Sequence, residues 1–238
     1  MNTDVLNLPR LVAACRGAWQ ADGDAGVPHL LIEPLLDADV LSRVMGAFPG
    51  PDEGPVWEST ERQSPDGKLQ SHRKLVSCDR RSFPLPLQEL IAALHGESFI
   101  RVIEEATGIH GLIPDESLYG GGLHHYLSGA FLGVHVDANV HPVQGLHRRL
   151  NLILYLNDPW DEDWRGALEF WSADGRLLRS IAPLANRCVV FATTPGAYHA
   201  ISAVGCPPQV TRRSVMVRYY TIDRPVHELQ PPHRVRWI

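Results

Sequence analysis

Arg149-Leu-Asn-Leu-Ile-Leu-Tyr-Leu-Asn157 is almost wholly apolar. A short continuous apolar run of this kind reads as a strand covered on both faces, because a half-solvated strand would alternate with polar residues. Working outward from it, Gly166 to Ser172, Arg187 to Thr193 and Arg212 to Ile222 also read as strands. Gly, Pro and Asp turns separate them, and Asp174-Gly175 suits a hairpin. Strand patterning begins near Leu118.

Upstream the period changes. Asp37 to Phe48 carries Val40, Leu41, Val44, Met45 and Phe48 at helical spacing, with Asp37 placed to cap and Pro49-Gly50-Pro51 to end it. Pro86 to Gly108 reads as two helices, with apolar stripes Leu87, Leu90, Ile91, Leu94 and Phe99, Val102, Ile103, Ala106, and stops at Gly96 and Gly108. Residues 50–66 read as a surface loop. Helices followed by closely spaced strands predict an α+β chain with a barrel or double-sheet core. We expect one domain over 1–238: a helical and loop region (1–117), a strand-rich core (118–222) and an irregular tail strap (223–238).

The composition narrows the function classes. The chain of 238 residues is 44% apolar, with a formal net charge of −5. Nucleic-acid binding is not expected, because that needs a basic face. The cluster Arg73-Lys74 to Arg80-Arg81 is broken by apolar residues and reads as a solvated loop or strand. Cys15, Cys78, Cys188 and Cys206 show no paired spacing, which argues against a disulfide framework or zinc site. The first eight residues lack a secretory pattern, and no run is long and apolar enough to span a membrane. The expected setting is cytoplasmic. The oligomeric state is not set by the sequence.

Just before the founding strand lies Gly133-Val-His135-Val-Asp137-Ala-Asn139. On a strand, residues i and i+2 share a face, so His135 and Asp137 aim together. A second histidine would complete a 2-His-1-carboxylate set, which suits Fe(II) and leaves coordination positions open. Alone the triplet is weak, since 12 histidines make about one such triplet by chance at ordinary composition. A surface hydrogen-bonded pair is the bland alternative. Three further features count against it. Tyr198-His199 follows an apolar strand and a Pro-Gly turn. Arg212 and Ser214 share a strand face and together suit a carboxylate, by a guanidinium fork and a hydroxyl. Tyr126 lies a short link before His135.

The ordered series Tyr126-Leu-Ser-Gly129, His135-Val-Asp137, Arg149 to Asn157, Gly166-Ala-Leu-Glu-Phe170, Val189-Val-Phe191, Tyr198-His199 and Thr211-Arg-Arg-Ser214 resembles the Fe(II)- and 2-oxoglutarate-dependent oxygenases, in their prolyl-4-hydroxylase-like branch. The resemblance covers about 120–220 and is similar to uncharacterised bacterial members with a Gly120-to-His124-like run. It implies a double-stranded β-helix (jelly-roll) core with the N-terminal helices on one sheet. It implies iron ligands His135, Asp137 and His199. Arg212 would pair with the distal carboxylate of 2-oxoglutarate, helped by Ser214 and Tyr126, with Asn151 a further contact. Fe(II), 2-oxoglutarate and dioxygen would be the cofactors, and a small-molecule or peptidyl substrate would be hydroxylated with release of succinate and carbon dioxide. Asp137 favours hydroxylation over halogenation, because halogenating relatives carry a small residue there. Desaturation, epoxidation and cyclisation stay open. So do a cupin-type metalloprotein without 2-oxoglutarate and a binding module with a decayed site. Arg165 stands where the family has the first glycine of its Gly-Gly-x-Leu element.

Other residues have plainer readings. His124 and His125 face opposite ways and have structural or surface roles, with one of them a candidate for the pocket wall. His141 and His147 sit in an exposed loop. Trp160, Trp164 and Trp171 pack. Arg213 faces outward unless the register slips by one residue, and Arg218 shares the Arg212 face and forms a buried ion pair.

Overall fold

The computed structural model describes residues 5–20 and 26–238, so residues 1–4 of the N-terminal stretch read above lie outside the described residues. The first half carries α1 (Leu8–Cys15), α2 (Ala38–Gly46), α3 (Leu85–His95) and α4 (Glu97–Thr107). Interspersed are β1 (His29–Ile32), the short β2 (Glu58–Ser59) and β3 (Arg62–Gln63), and β4 (Leu69–Ser77). The second half is sheet. It runs through β5 (Ile113–Pro114), β6 (Gly122–Val136), β7 (His147–Tyr155), β8 (Leu168–Trp171) and β9 (Leu177–Ile181). It ends with β10 (Cys188–Ala192), β11 (Tyr198–Ile201), β12 (Arg212–Thr221) and β13 (Arg236–Trp237).

The main path is antiparallel, in the order β1-β10-β7-β12-β6-β11-β8-β9. Strand β6 is the pivot. Its first part pairs with β12 and its last part with β11, so one long strand belongs to both halves of a curled jelly-roll. Strand β4 flanks β6 along most of its length.

The founding strand is buried on both faces, as its apolar run requires. Leu150, Leu152, Leu154 and Leu156 join one core with residues of all four helices, while Ile153 and Tyr155 join a second core inside the half-barrel. Strand β10 divides the same way, with Val190 toward the helices and Val189 and Phe191 inside. Each fully buried leucine contributes roughly 1.5–3 kcal/mol, so the helix layer is held chiefly by this one sheet face. The helices therefore pack on the sheet and leave the interior to polar chemistry.

Several expectations need adjusting. Asp37 occupies the N-cap position of α2 but makes no capping bond; its carboxylate instead takes Arg10 and Asn7. Helix α1 and strand β1 are additions that the periodicity of such short segments did not reveal. The tail is not merely a strap: β13 extends the sheet beside β6, and Ile238 N donates to Val134 O. His141 is buried, because its Nδ1 accepts from the amides of Val143 and Gln144 and so organises its own loop. The turns at Gly96, Gly108 and Asp174-Gly175 form as expected. Among the described residues the four cysteines are free, and no helix is long and apolar enough to cross a membrane.

Candidate active site

His135 on β6 and His199 on β11 are direct partners across the antiparallel ladder, which puts both side chains on one face. Asp137 follows β6 on the same side. Ligand atoms of the three buried residues all lie within 4.8 Å of one another. Each histidine Nδ1 donates to the carbonyl two residues earlier: His135 to Gly133 at 2.9 Å and His199 to Ala197 at 2.8 Å. These bonds place the proton on Nδ1 and leave both Nε2 lone pairs aimed at Asp137. Separations of 3.7 and 3.8 Å from the Asp137 oxygens are too long for hydrogen bonds.

The carboxylate is gripped from behind. Asn151 Nδ2 donates to Asp137 Oδ2 at 2.7 Å, and Arg148 Nη1 sits 3.1 Å from Oδ1. Burial alone would raise the Asp137 carboxyl, but Arg148, His135 and His199 outweigh it and hold it well below the usual carboxylate range. Burial, followed by the nearby His135, pushes His199 down to about 4. The site thus offers two imidazole Nε2 atoms and one ionised carboxylate in a buried setting. That donor set fits a divalent first-row metal such as Fe(II). Trp237 of β13 covers the His135 ring with centroids 5.0 Å apart.

Further along the interior face lies a second polar feature. Arg212, Tyr126 and Lys74 are register partners in one row across β12, β6 and β4. Arg212 is fully buried, with Nε donating to Gly166 O at 2.6 Å and Nη2 lacking a partner. The guanidinium lies between the rings of Tyr126 (4.8 Å) and Tyr155 (4.9 Å). Tyr155 Oη is buried and also lacks a partner. A buried guanidinium nitrogen and a phenol left open together suit an incoming carboxylate, because unsatisfied donors are costly otherwise. Ser214 is buried one alternate position on, opposite Tyr155.

The structure brings His135, Asp137 and His199 together, and separately Arg212, Ser214 and Tyr126. Asn151 reaches Asp137, a contact that the strand reading did not contain. Arg148 and Tyr155 were missed. Tyr155 was legible in principle, since it alternates with Asn151 and Ile153 on one face of β7. Arg148 carries no signal beyond being a charge at the start of an apolar strand. Arg213 faces outward over the Phe48 ring at 5.8 Å, so the register did not slip. Arg218 forms no ion pair among the described residues, contrary to expectation. His125 faces away from the pocket and bonds Thr211 Oγ1 and Pro49 O, while His124 lies on the interior face. Trp160 and Trp164 pack edge to face. Arg165 makes its turn at φ 52° without glycine, and Gly166 must stay bare because a Cβ would lie 3.1 Å from Arg212 Cδ.

Residues 121–221 match the model of the 2OG-Fe(II) oxygenase superfamily. This segment belongs to that superfamily. The oxygenase segment is also similar to Prolyl 3-hydroxylase OGFOD1 from Mus musculus, 32% identical over 92 residues. That match covers 36% of this chain and only 17% of the mouse protein. The fold is that of a Pseudomonas putida prolyl-4-hydroxylase, with TM-score 0.52 at 19% identity, covering 90% of this chain and 100% of that one. It is also that of HygX from Streptomyces hygroscopicus with nickel and 2-oxoglutarate bound, with TM-score 0.57 at 9% identity, covering 88% and 94%. The curled sheet is therefore a double-stranded β-helix, with helices packed on one face.

Proposed function

We propose that this chain is an Fe(II)- and 2-oxoglutarate-dependent dioxygenase that hydroxylates an unactivated C–H bond of a small molecule, amino acid or peptidyl side chain. The observation that carries this reading is the buried His135-Asp137-His199 cluster, with a buried, partly unsatisfied Arg212 in the same half-barrel. Iron bound there with 2-oxoglutarate and dioxygen supplies the oxidising chemistry, and succinate and carbon dioxide are released.

His135, Asp137 and His199 would hold one face of the metal. Arg148 and Asn151 fix both oxygens of Asp137 so that it neither rotates nor protonates. Arg212, with Ser214, Tyr126 and Tyr155 around it, would hold the distal carboxylate of 2-oxoglutarate and orient the co-substrate. The apolar residues Phe170, Phe191 and Ile201 exclude water from the interior. In this reading 118–222 carries catalysis, 1–117 supports the sheet and 223–238 covers the metal face. A prolyl side chain is the first substrate to try, given what the mouse relative's name says that protein modifies. A cytoplasmic setting belongs to the same proposal.

The test is succinate formation from 2-oxoglutarate with added Fe(II), in the wild type and in Asp137→Ala. Turnover that needs iron and disappears in the variant supports the reading. Equal succinate from both proteins sinks it.

A further inference from the structure

The half-barrel interior holds more positive charge than the proposed chemistry uses. Four basic side chains enter it: Lys74, Arg148, Arg212 and Arg218. Arg148 is matched by Asp137, and Arg212 is left for the co-substrate. Lys74 and Arg218 are matched by nothing. Among the described residues, no carboxylate oxygen lies within 4.0 Å of either.

Their placement is specific. Lys74 stands opposite Tyr126 on β4, with Nζ 5.6 Å from the ring centroid. Arg218 stands opposite Asn151, the residue that holds Asp137. Its Nη1 donates to Tyr119 O, while Nε is buried without a partner. Gly120 is bare beside it, since a Cβ there would lie 2.7 Å from Nη1. The two cations sense each other. Burial first, then Arg218, lower Lys74 to about 8, with Asp137, Arg212 and Cys78 the other charged or titratable groups acting on it. Burial first, then Lys74 and Arg218, hold His124 between them well below its ordinary range. The Lys74 and Arg218 side chains are only partly open to solvent and the Arg218 Nε is buried without a partner, so an anion joining them would be favoured. Arginine supplies 20 of the 22 basic side chains, so the lone interior lysine is also easy to observe.

We propose that Lys74 and Arg218 form an oxyanion-binding subsite beside the metal, and that the substrate carries a carboxylate or phosphate group there. The proposal rests on the oxygenase reading above. It narrows the substrate from any C–H compound to an acidic one, and gives Lys74 and Arg218 the role of specificity residues.

The chain has two lysines, Lys68 and Lys74, and Lys68 is exposed. Reductive ¹³C-methylation therefore labels these two and the α-amine; loss of one signal in Lys74→Met identifies Lys74, and Lys68 serves as the internal control. The enzyme is loaded with Zn(II) and 2-oxoglutarate, and binding of both is first verified by calorimetry. Failure at that step counts against the oxygenase reading itself. The probes are a set of N-acetyl amino acids, their neutral amides, and inorganic phosphate. The expected result is that an acid or phosphate raises the Lys74 titration midpoint by about one unit while amides leave it in place and Lys68 never moves. Acids alone responding assigns a carboxylate, and phosphate alone a phosphorylated substrate. A parallel screen for products heavier by one oxygen should find acids oxidised in preference to their amides, with Lys74→Met lowering kcat/KM for them tenfold or more. The proposal is overturned if no anion at 10 mM, on the order of a weak-site Kd, moves Lys74. It is equally overturned if 2-oxoglutarate alone restores the ordinary midpoint, or if Lys74→Met weakens 2-oxoglutarate binding tenfold, since the cations would then serve the co-substrate.

Discussion

His135 and His199 face each other directly across the ladder between β6 and β11, with ring centroids 4.2 Å apart. Two strands distant in sequence thereby place two imidazoles side by side, and a backbone carbonyl turns each one's Nε2 toward Asp137. The pair is built by pairing register, which a one-residue slip would destroy by sending one ring to the opposite face.

Arg148→Met should destabilise the metal-free protein by about 3 kcal/mol, because it strands a buried carboxylate without its counter-charge. A bound divalent ion replaces that charge, so the metal-loaded variant should lose clearly less. Urea unfolding with and without Mn(II) measures the difference. Equal losses in the two states would show that Arg148 acts through packing alone. By linkage the variant should then bind Mn(II) more tightly than the wild type, because the ion no longer competes with a guanidinium for Asp137.

Arg212→Ala should raise the KM for 2-oxoglutarate tenfold or more, about 1.5–3 kcal/mol for a lost charged hydrogen bond. Steady-state succinate assays over a range of co-substrate concentrations read this directly. An unchanged KM would move the anchor elsewhere in the pocket.

Arg165→Gly should stabilise the protein by about 1 kcal/mol. Arg165 sits at φ 52° with ψ −127°, a region that costs a side-chain-bearing residue about 1–3 kcal/mol, against roughly 0.5–1 kcal/mol of extra chain entropy for glycine. Thermal or urea unfolding measures it, and a lower midpoint would mean the arginine side chain holds contacts that outweigh the strain.

Acid should weaken the fold in part through His125, which burial chiefly lowers to about 4 from 6.5. The unfolded chain binds a proton at this residue below pH 6.5 while the folded chain does not until about pH 4. Stability from this residue is therefore full above pH 6.5 and falls as pH drops toward 4, by about 2 kcal/mol between pH 6.5 and 5. His125→Gln should show a shallower loss over that interval in urea unfolding of the metal-free protein. Parallel pH profiles for the two proteins would rule this out.

The local pattern in the sequence carried a large part of this molecule. The unbroken apolar run of 149–157 required cover on both sides, and the structure provides helices on one face and the half-barrel interior on the other. Spacing alone put His135 and Asp137 on one face, and Arg212 with Ser214 on another. The α3–α4 break at Gly96 followed from backbone chemistry. What period and propensity do not encode is which strands become neighbours. Tertiary pairing set His199 opposite His135, Arg148 and Asn151 against Asp137, and Trp237 over the His135 ring. It also set Lys74 opposite Tyr126 and Arg218 opposite Asn151, with no carboxylate oxygen within 4.0 Å of either among the described residues. Those contacts join residues from separate strands, and their geometry follows from sheet curvature and register, which arise only when the whole chain buries its two cores together.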